Sequence, residues 1–156
     1  MLTDKEWEEV RYSLVEGGFF DWEARPKTLK AVRQVTEKMP DDELVKLQEM
    51  ISIIFAPAPG KHGEVYPFAL TQASEHQKLP SDMEYSPVVP QVMVYLSPEI
   101  EARSQKYVDS VVAHEFAHVL LHPFGGPALP SIEREADEKA RLWGFKPAYR
   151  DGGYLE

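Results

Sequence analysis

Tyr107-Val108-Asp109-Ser110-Val111-Val112-Ala113-His114-Glu115-Phe116-Ala117-His118-Val119-Leu120-Leu121 decides how the chain is read. At about 100° per residue its apolar side chains cover most of the circumference, which predicts a buried helix. Within its second half the polar residues are His114, Glu115 and His118, continued by His122, and they fall in one arc of roughly 100°. A buried helix tolerates such a stripe only if each group finds a partner, because an unpaired buried polar group costs about 1–3 kcal/mol. His114 and His118 are four apart, so their imidazoles stack one turn apart and can share one tetrahedral cation, with Glu115 beside it. A shuffled chain of this composition shows H-E-x-x-H by chance roughly 2% of the time. The burial of the motif therefore matters as much as its spelling.

Two histidines leave a metal short of protein ligands, and the next segment offers another. Pro130-Ser131-Ile132-Glu133-Arg134-Glu135-Ala136-Asp137-Glu138-Lys139-Ala140-Arg141-Leu142-Trp143 predicts a helix with Ser131 as N-cap and Ile132, Ala136, Ala140 and Trp143 on its buried side. Glu133 and Asp137 border that side, whereas Glu135, Glu138, Lys139 and Arg141 are expected to fan out into water. Small Ala136 and Ala140 permit a close approach to another helix. Pro123-Phe124-Gly125-Gly126-Pro127 breaks the first helix and allows reversal, which would carry Glu133 back to the histidines. Taken alone, Glu133 reads equally well as a solvated carboxylate, since 26 of 156 residues are acidic. His122 lies about 11 Å along the helix from His114, too far for a shared ion, and is a helix C-terminal histidine.

Together these two segments resemble the gluzincin class of zinc metallopeptidases, with the compact ImmA/IrrE-like peptidases as nearest kin. The similar stretch runs from about Gln91 to Phe145, a third of the chain. The resemblance implies Zn²⁺ ligated by His114, His118 and Glu133, with Glu115 as general base and Asp137 orienting a ligand histidine. It implies an α+β minimal zincin fold: a helical N-terminal part, a small sheet, an active-site helix and a glutamate helix. It implies as well a hydrolase that cleaves peptide bonds in a polypeptide substrate, such as a repressor or other regulatory protein, through a metal-activated water. Its edge strand would pair with the extended substrate, and Gln91-Val92-Met93-Val94-Tyr95-Leu96 fits such a strand. A zincin-like regulatory protein that holds metal and cleaves little is the alternative. In the ImmA/IrrE-like group Asn often stands where this chain has Asp137, which adds a negative charge here. The metzincin extension is missing, with Leu121 and Phe124 where that pattern wants Gly and His. For the oxyanion, Tyr149, Tyr154, His62 and His76 are all conceivable, and none has a distinctive spacing.

The remaining sequence sets the frame around that site. At 156 residues and 43% hydrophobic the chain is expected to form one domain over 1–156, with a helical segment over 1–56. A net charge of −9 disfavours nucleic-acid phosphate and anionic lipid as partners. Cysteine is absent, so any metal must be held by histidine and carboxylate. The acidic start and the lack of a long apolar run predict no membrane span and a cytoplasmic location. Asparagine is missing too, a composition that fits a thermophile.

Thr3 and Glu6 form a capping box for a helix to about Val15, ended by Gly17-Gly18. Apolar spacing predicts further helices over Leu29 to Met39 and Asp41 to about Phe55. From Ala56 to Pro90 the composition predicts strands and a loop over the cleft, with a β-like run Glu64 to Leu70, and residues 151–156 read as a tail.

Overall fold

The computed structural model describes residues 2–14, 24–54, 69–73, 92–121 and 130–147. In chain order these form α1 (Asp4–Leu14), α2 (Pro26–Lys38), α3 (Asp41–Met50), β1 (Ile51–Ile54), β2 (Ala69–Ala73), β3 (Val92–Leu96), a 3₁₀ turn (Pro98–Ala102), α4 (Gln105–Leu121) and α5 (Pro130–Leu142). The capping box at α1 closes in both directions: Thr3 N donates to Glu6 Oε1 and Glu6 N donates to Thr3 Oγ1, each at 3.1 Å.

Helix α4 is the axle of the molecule. Val108, Val112, Ala113, Phe116, Ala117 and Val119 are fully buried, and α2, α3, α5 and the sheet all pack on it. Its neighbours are correspondingly amphipathic. From α2 come Ala31, Val32 and Val35, and from α3 Leu44 and Leu47, all buried at helical spacing. Burying one such side chain contributes about 1.5–3 kcal/mol, so this shared core holds α4 in place.

The helix expected over Asp41 to Phe55 is shorter than its pattern suggests. It ends at Met50, and Ile51 turns to extended backbone at φ −90° and ψ 145°. Ile51 through Ile54 then pair in parallel with Val92 through Tyr95. Apolar spacing fits either structure here; β-branched Ile51 and Ile53, both buried, gain more by lying on the inner face of a sheet. The β-like run also shifts: β2 is Ala69–Ala73, and residues 64–68 lie outside the described part.

The three strands lie in the order β1-β3-β2, with β2 antiparallel to β3. Val92–Leu96, expected at the edge, is therefore the central strand. Both sides of its backbone pair with neighbours, so no hydrogen bonds remain there for a substrate strand. Val92, Val94 and Leu96 face the core, with Met93 and Tyr95 on the opposite, half-buried face. Gln91 lies outside the described residues. Among the described residues β1 and β2 are the outer strands, and β2 lies against α4.

Two remote contacts hold the ends of helices. Arg25, at the N-cap of α2, gives no side-chain cap. Glu101 from the 3₁₀ turn supplies one instead, accepting from Lys27 N at 3.0 Å, Thr28 N at 2.7 Å and Thr28 Oγ1 at 2.6 Å. Gln105 Nε2 donates to the Lys27 carbonyl at 2.9 Å, so the N-terminal ends of α2 and α4 lie side by side. Among the described residues, no helix is long and apolar enough to cross a membrane.

Candidate metal centre

Helices α4 and α5 bring the site together. Burial of α4 on nearly all sides carries His114 and Glu115 inside, at 6% and 7% exposure. Their neighbours Val111 and Val119 are buried as well. Helix α5 packs against α4 through Ala136 and Ala140, both buried, and small side chains let the two backbones come close. Asp137 is buried at 6%, and Glu133 lies at the more open border of the interface.

In this setting His114 Nε2 lies 2.6 Å and His118 Nε2 3.2 Å from Glu133 Oε2, with 3.0 Å between the two nitrogens. The imidazoles meet edge to face, ring centres 4.6 Å apart and planes at 87°. On its other side His114 Nδ1 lies 2.8 Å from Asp137 Oδ1. A carboxylate only accepts, so Nδ1 carries the proton and donates it to Asp137. That leaves Nε2 as the ring atom turned toward Glu133 and His118.

Three atoms that can each offer a lone pair, the two Nε2 nitrogens and Glu133 Oε2, thus converge, and a shared cation satisfies such a set. In the metal-free protein a proton fills that role. Burial opposes charge on His114, yet the hydrogen bonds to Asp137 and Glu133, helped by the nearby Glu115 charge, hold its pKa up to about 9. Burial likewise opposes charge on Glu133, and the hydrogen bonds from His114 and His118 outweigh it, so its carboxyl titrates well below the usual range. A proton satisfies one pair of atoms; a divalent ion satisfies all three.

The geometry fits such an ion. Zinc bonds of about 2.0–2.2 Å in a tetrahedron need donor atoms roughly 3.3 Å apart. The three separations, 2.6, 3.0 and 3.2 Å, fall about 0.1–0.7 Å short of that, a gap that small side-chain rotations close. Imidazole and carboxylate donors without a thiolate suit several divalent transition metals, Zn²⁺ among them. His114, His118 and Glu133 are the one group of this kind among the described residues. Two further carboxylates, those of Glu115 and Asp137, stand beside them.

Each site residue singled out in the sequence that lies in the described part is found here: His114, Glu115, His118, Glu133 and Asp137. His122 and the four oxyanion candidates, His62, His76, Tyr149 and Tyr154, lie outside it, as does the Pro123–Pro127 reversal. Three details of α5 differ from expectation. The helix starts at Pro130, so Ser131 sits inside its first turn; proline suits that position because its fixed φ is already helical and it has no N–H to satisfy. Ile132 is only half-buried. Lys139, expected in water, is half-buried and ion-paired with Glu43, whose other oxygen accepts from Trp143 Nε1 at 3.1 Å. No local pattern signals that contact, because Glu43 reads as an ordinary acidic residue in the first turn of α3. No protein-family description, curated protein or solved structure matches the chain.

Proposed function

We propose that this protein is a zinc-dependent peptide hydrolase with a minimal zincin fold of the gluzincin, ImmA/IrrE-like kind. The convergence of His114 Nε2, His118 Nε2 and Glu133 Oε2 within 3.2 Å of one another carries the reading. His114 and His118 from one helix and Glu133 from the other would hold the ion. When bound, Zn²⁺ supplies Lewis acidity, lowering the pKa of water toward about 7 and polarising a carbonyl.

The chain's own residues supply the rest. Asp137 Oδ1 accepts from His114 Nδ1, which fixes the ring so that Nε2 faces the ion and makes that nitrogen more basic. Glu115 takes the proton of the attacking water and returns it to the amine nitrogen that leaves, a general-base and then general-acid role. A metal held only for structure has no use for a carboxylate at that position. The buried flank formed by Val111 and Val119 keeps bulk water from competing for that proton. An extended polypeptide, such as a segment of a regulatory protein, would align along β2, the outer strand beside α4. A cytoplasmic setting suits a cysteine-free chain that binds its metal through nitrogen and oxygen.

The test joins elemental analysis to a cleavage assay on an unfolded polypeptide such as denatured casein. Zinc is expected at one per chain, lost when His114 and His118 are both changed to Ala. Glu115→Gln keeps the zinc and loses cleavage. Wild-type protein without stoichiometric metal refutes the reading, and Glu115→Gln with full activity refutes the role of Glu115.

A further inference from the structure

The glutamate helix must be set in rotation as well as in position. Glu133 and Asp137 occupy one edge of the buried face of α5, and Lys139 and Trp143 occupy the other, about 120° around the axis. Ala136 and Ala140 lie between them as the line of contact with α4. A helix resting on two alanines can roll. With side-chain atoms about 5–6 Å from the axis, a roll of about 20° moves the Glu133 carboxylate roughly 2 Å, enough to part it from both imidazoles.

We propose that Glu43 of α3 is the positioning residue that prevents this roll. Its two carboxylate oxygens take two points one turn apart on the far edge of α5: Oε1 accepts from Trp143 Nε1 at 3.1 Å and Oε2 pairs with the Lys139 ammonium. The ammonium also lies over the Trp143 ring, 5.9 Å from its centre. Trp143 is itself buried at 4% and is fixed from behind by the end of the helix, where Gly144 at φ 96° lets Phe145 N donate back to the Ala140 carbonyl at 3.0 Å. Two contacts from one rigid carboxylate define an angle, whereas one would act as a pivot. Helix α3 in turn packs on α4, so Glu43 refers the orientation of α5 to the helix that carries the histidines. An ion bound between α4 and α5 would then meet ligands already aligned.

This role rests on the metal-centre reading, and Co²⁺ added to the full-length protein tests both. Apparent Co²⁺ affinity is measured by chelator competition, and the visible absorption of the bound ion reports its ligand geometry. Glu43→Ala is expected to weaken Co²⁺ binding at least tenfold and to alter the visible band, at a temperature where circular dichroism shows wild-type helix content. Glu43→Gln, which keeps an acceptor for Trp143 Nε1, falls between Glu43→Ala and wild type. Lys139→Met keeps the stem over the indole and removes the charge, and it also weakens binding. A purely structural role lowers the melting temperature and leaves affinity and band unchanged; affinity within twofold and an identical spectrum in folded Glu43→Ala overturns the proposal. Should that variant fail to fold, Glu43→Gln and Lys139→Met are judged by the same criterion. Wild-type protein that takes up no Co²⁺ overturns the metal centre and the positioning role together, whereas normal wild-type uptake with unaffected variants overturns the positioning role alone.

Discussion

Replacing Ala136 with Leu separates packing from ligand chemistry. Ala136 is fully buried on the face of α5 that meets α4, one turn from Glu133 on one side and from Ala140 on the other. Helices in contact through small residues sit about 8 Å apart and those with larger ones about 10 Å, so the added isobutyl group pushes α5 outward by up to roughly 2 Å. Overpacking of this kind costs about 1–3 kcal/mol, a fall in Tm of about 2–12 °C at this chain length. The site responds more steeply than the fold. Glu133 Oε2 stands 2.6 Å and 3.2 Å from the two imidazole nitrogens, while metal–ligand distances tolerate only about 0.2 Å. With one of the three proposed ligands withdrawn, zinc affinity is expected to fall at least 100-fold, or about 2.7 kcal/mol. Isothermal titration with chelator competition measures the affinity, and thermal melting of the metal-free protein measures stability. Glu138→Leu is the control, since Glu138 is exposed on the opposite side of the same helix and should leave both unchanged. Zinc affinity within twofold of wild type in folded Ala136→Leu refutes the claim that the spacing of α4 and α5 sets the coordination geometry.

Further outcomes follow from the electrostatics and the caps. The His114 pKa of about 9 in the folded metal-free protein lies above its ordinary 6.5, so its interactions stabilise fully below pH 6.5 and are lost as pH rises through about 9. Glu133 titrates below its ordinary 4.5, so its contribution is present above pH 4.5 and lost on acidification. Unfolding free energies of metal-free protein, measured in urea, should therefore peak between those limits and fall toward pH 9, by on the order of 3 kcal/mol for the His114 shift; a flat profile from pH 6 to 9.5 contradicts this. Glu101→Ala strips the cap from α2 and is expected to lower stability by about 1–2 kcal/mol with zinc affinity intact, measured by urea unfolding and metal titration side by side.

The order of the strands shows where a local pattern stops informing. Val92 to Leu96 reads as a strand from its β-branched residues, and a strand forms. Whether it lies at the edge or the centre depends on which segments arrive beside it, and Ile51–Ile54 from the end of α3 takes one side. That segment carried apolar spacing compatible with either helix or strand. Pairing with β3 settled the choice, as tertiary contacts do for short apolar runs.

What the sequence determined on its own was the buried helix of α4 and the stripe His114, Glu115, His118 upon it, because helix periodicity fixes which side chains share a face whatever surrounds them. The same periodicity placed Glu133 and Asp137 together on α5. Only the tertiary structure decided that the two stripes meet, with Glu133 Oε2 against both imidazoles and Asp137 behind His114, and that Glu43, 100 residues before Trp143, holds the far edge of the glutamate helix. Such meetings depend on how close Ala136 and Ala140 let two helices come and how α5 is turned about its axis. Those are distances and angles between elements, and no spacing along the chain encodes them.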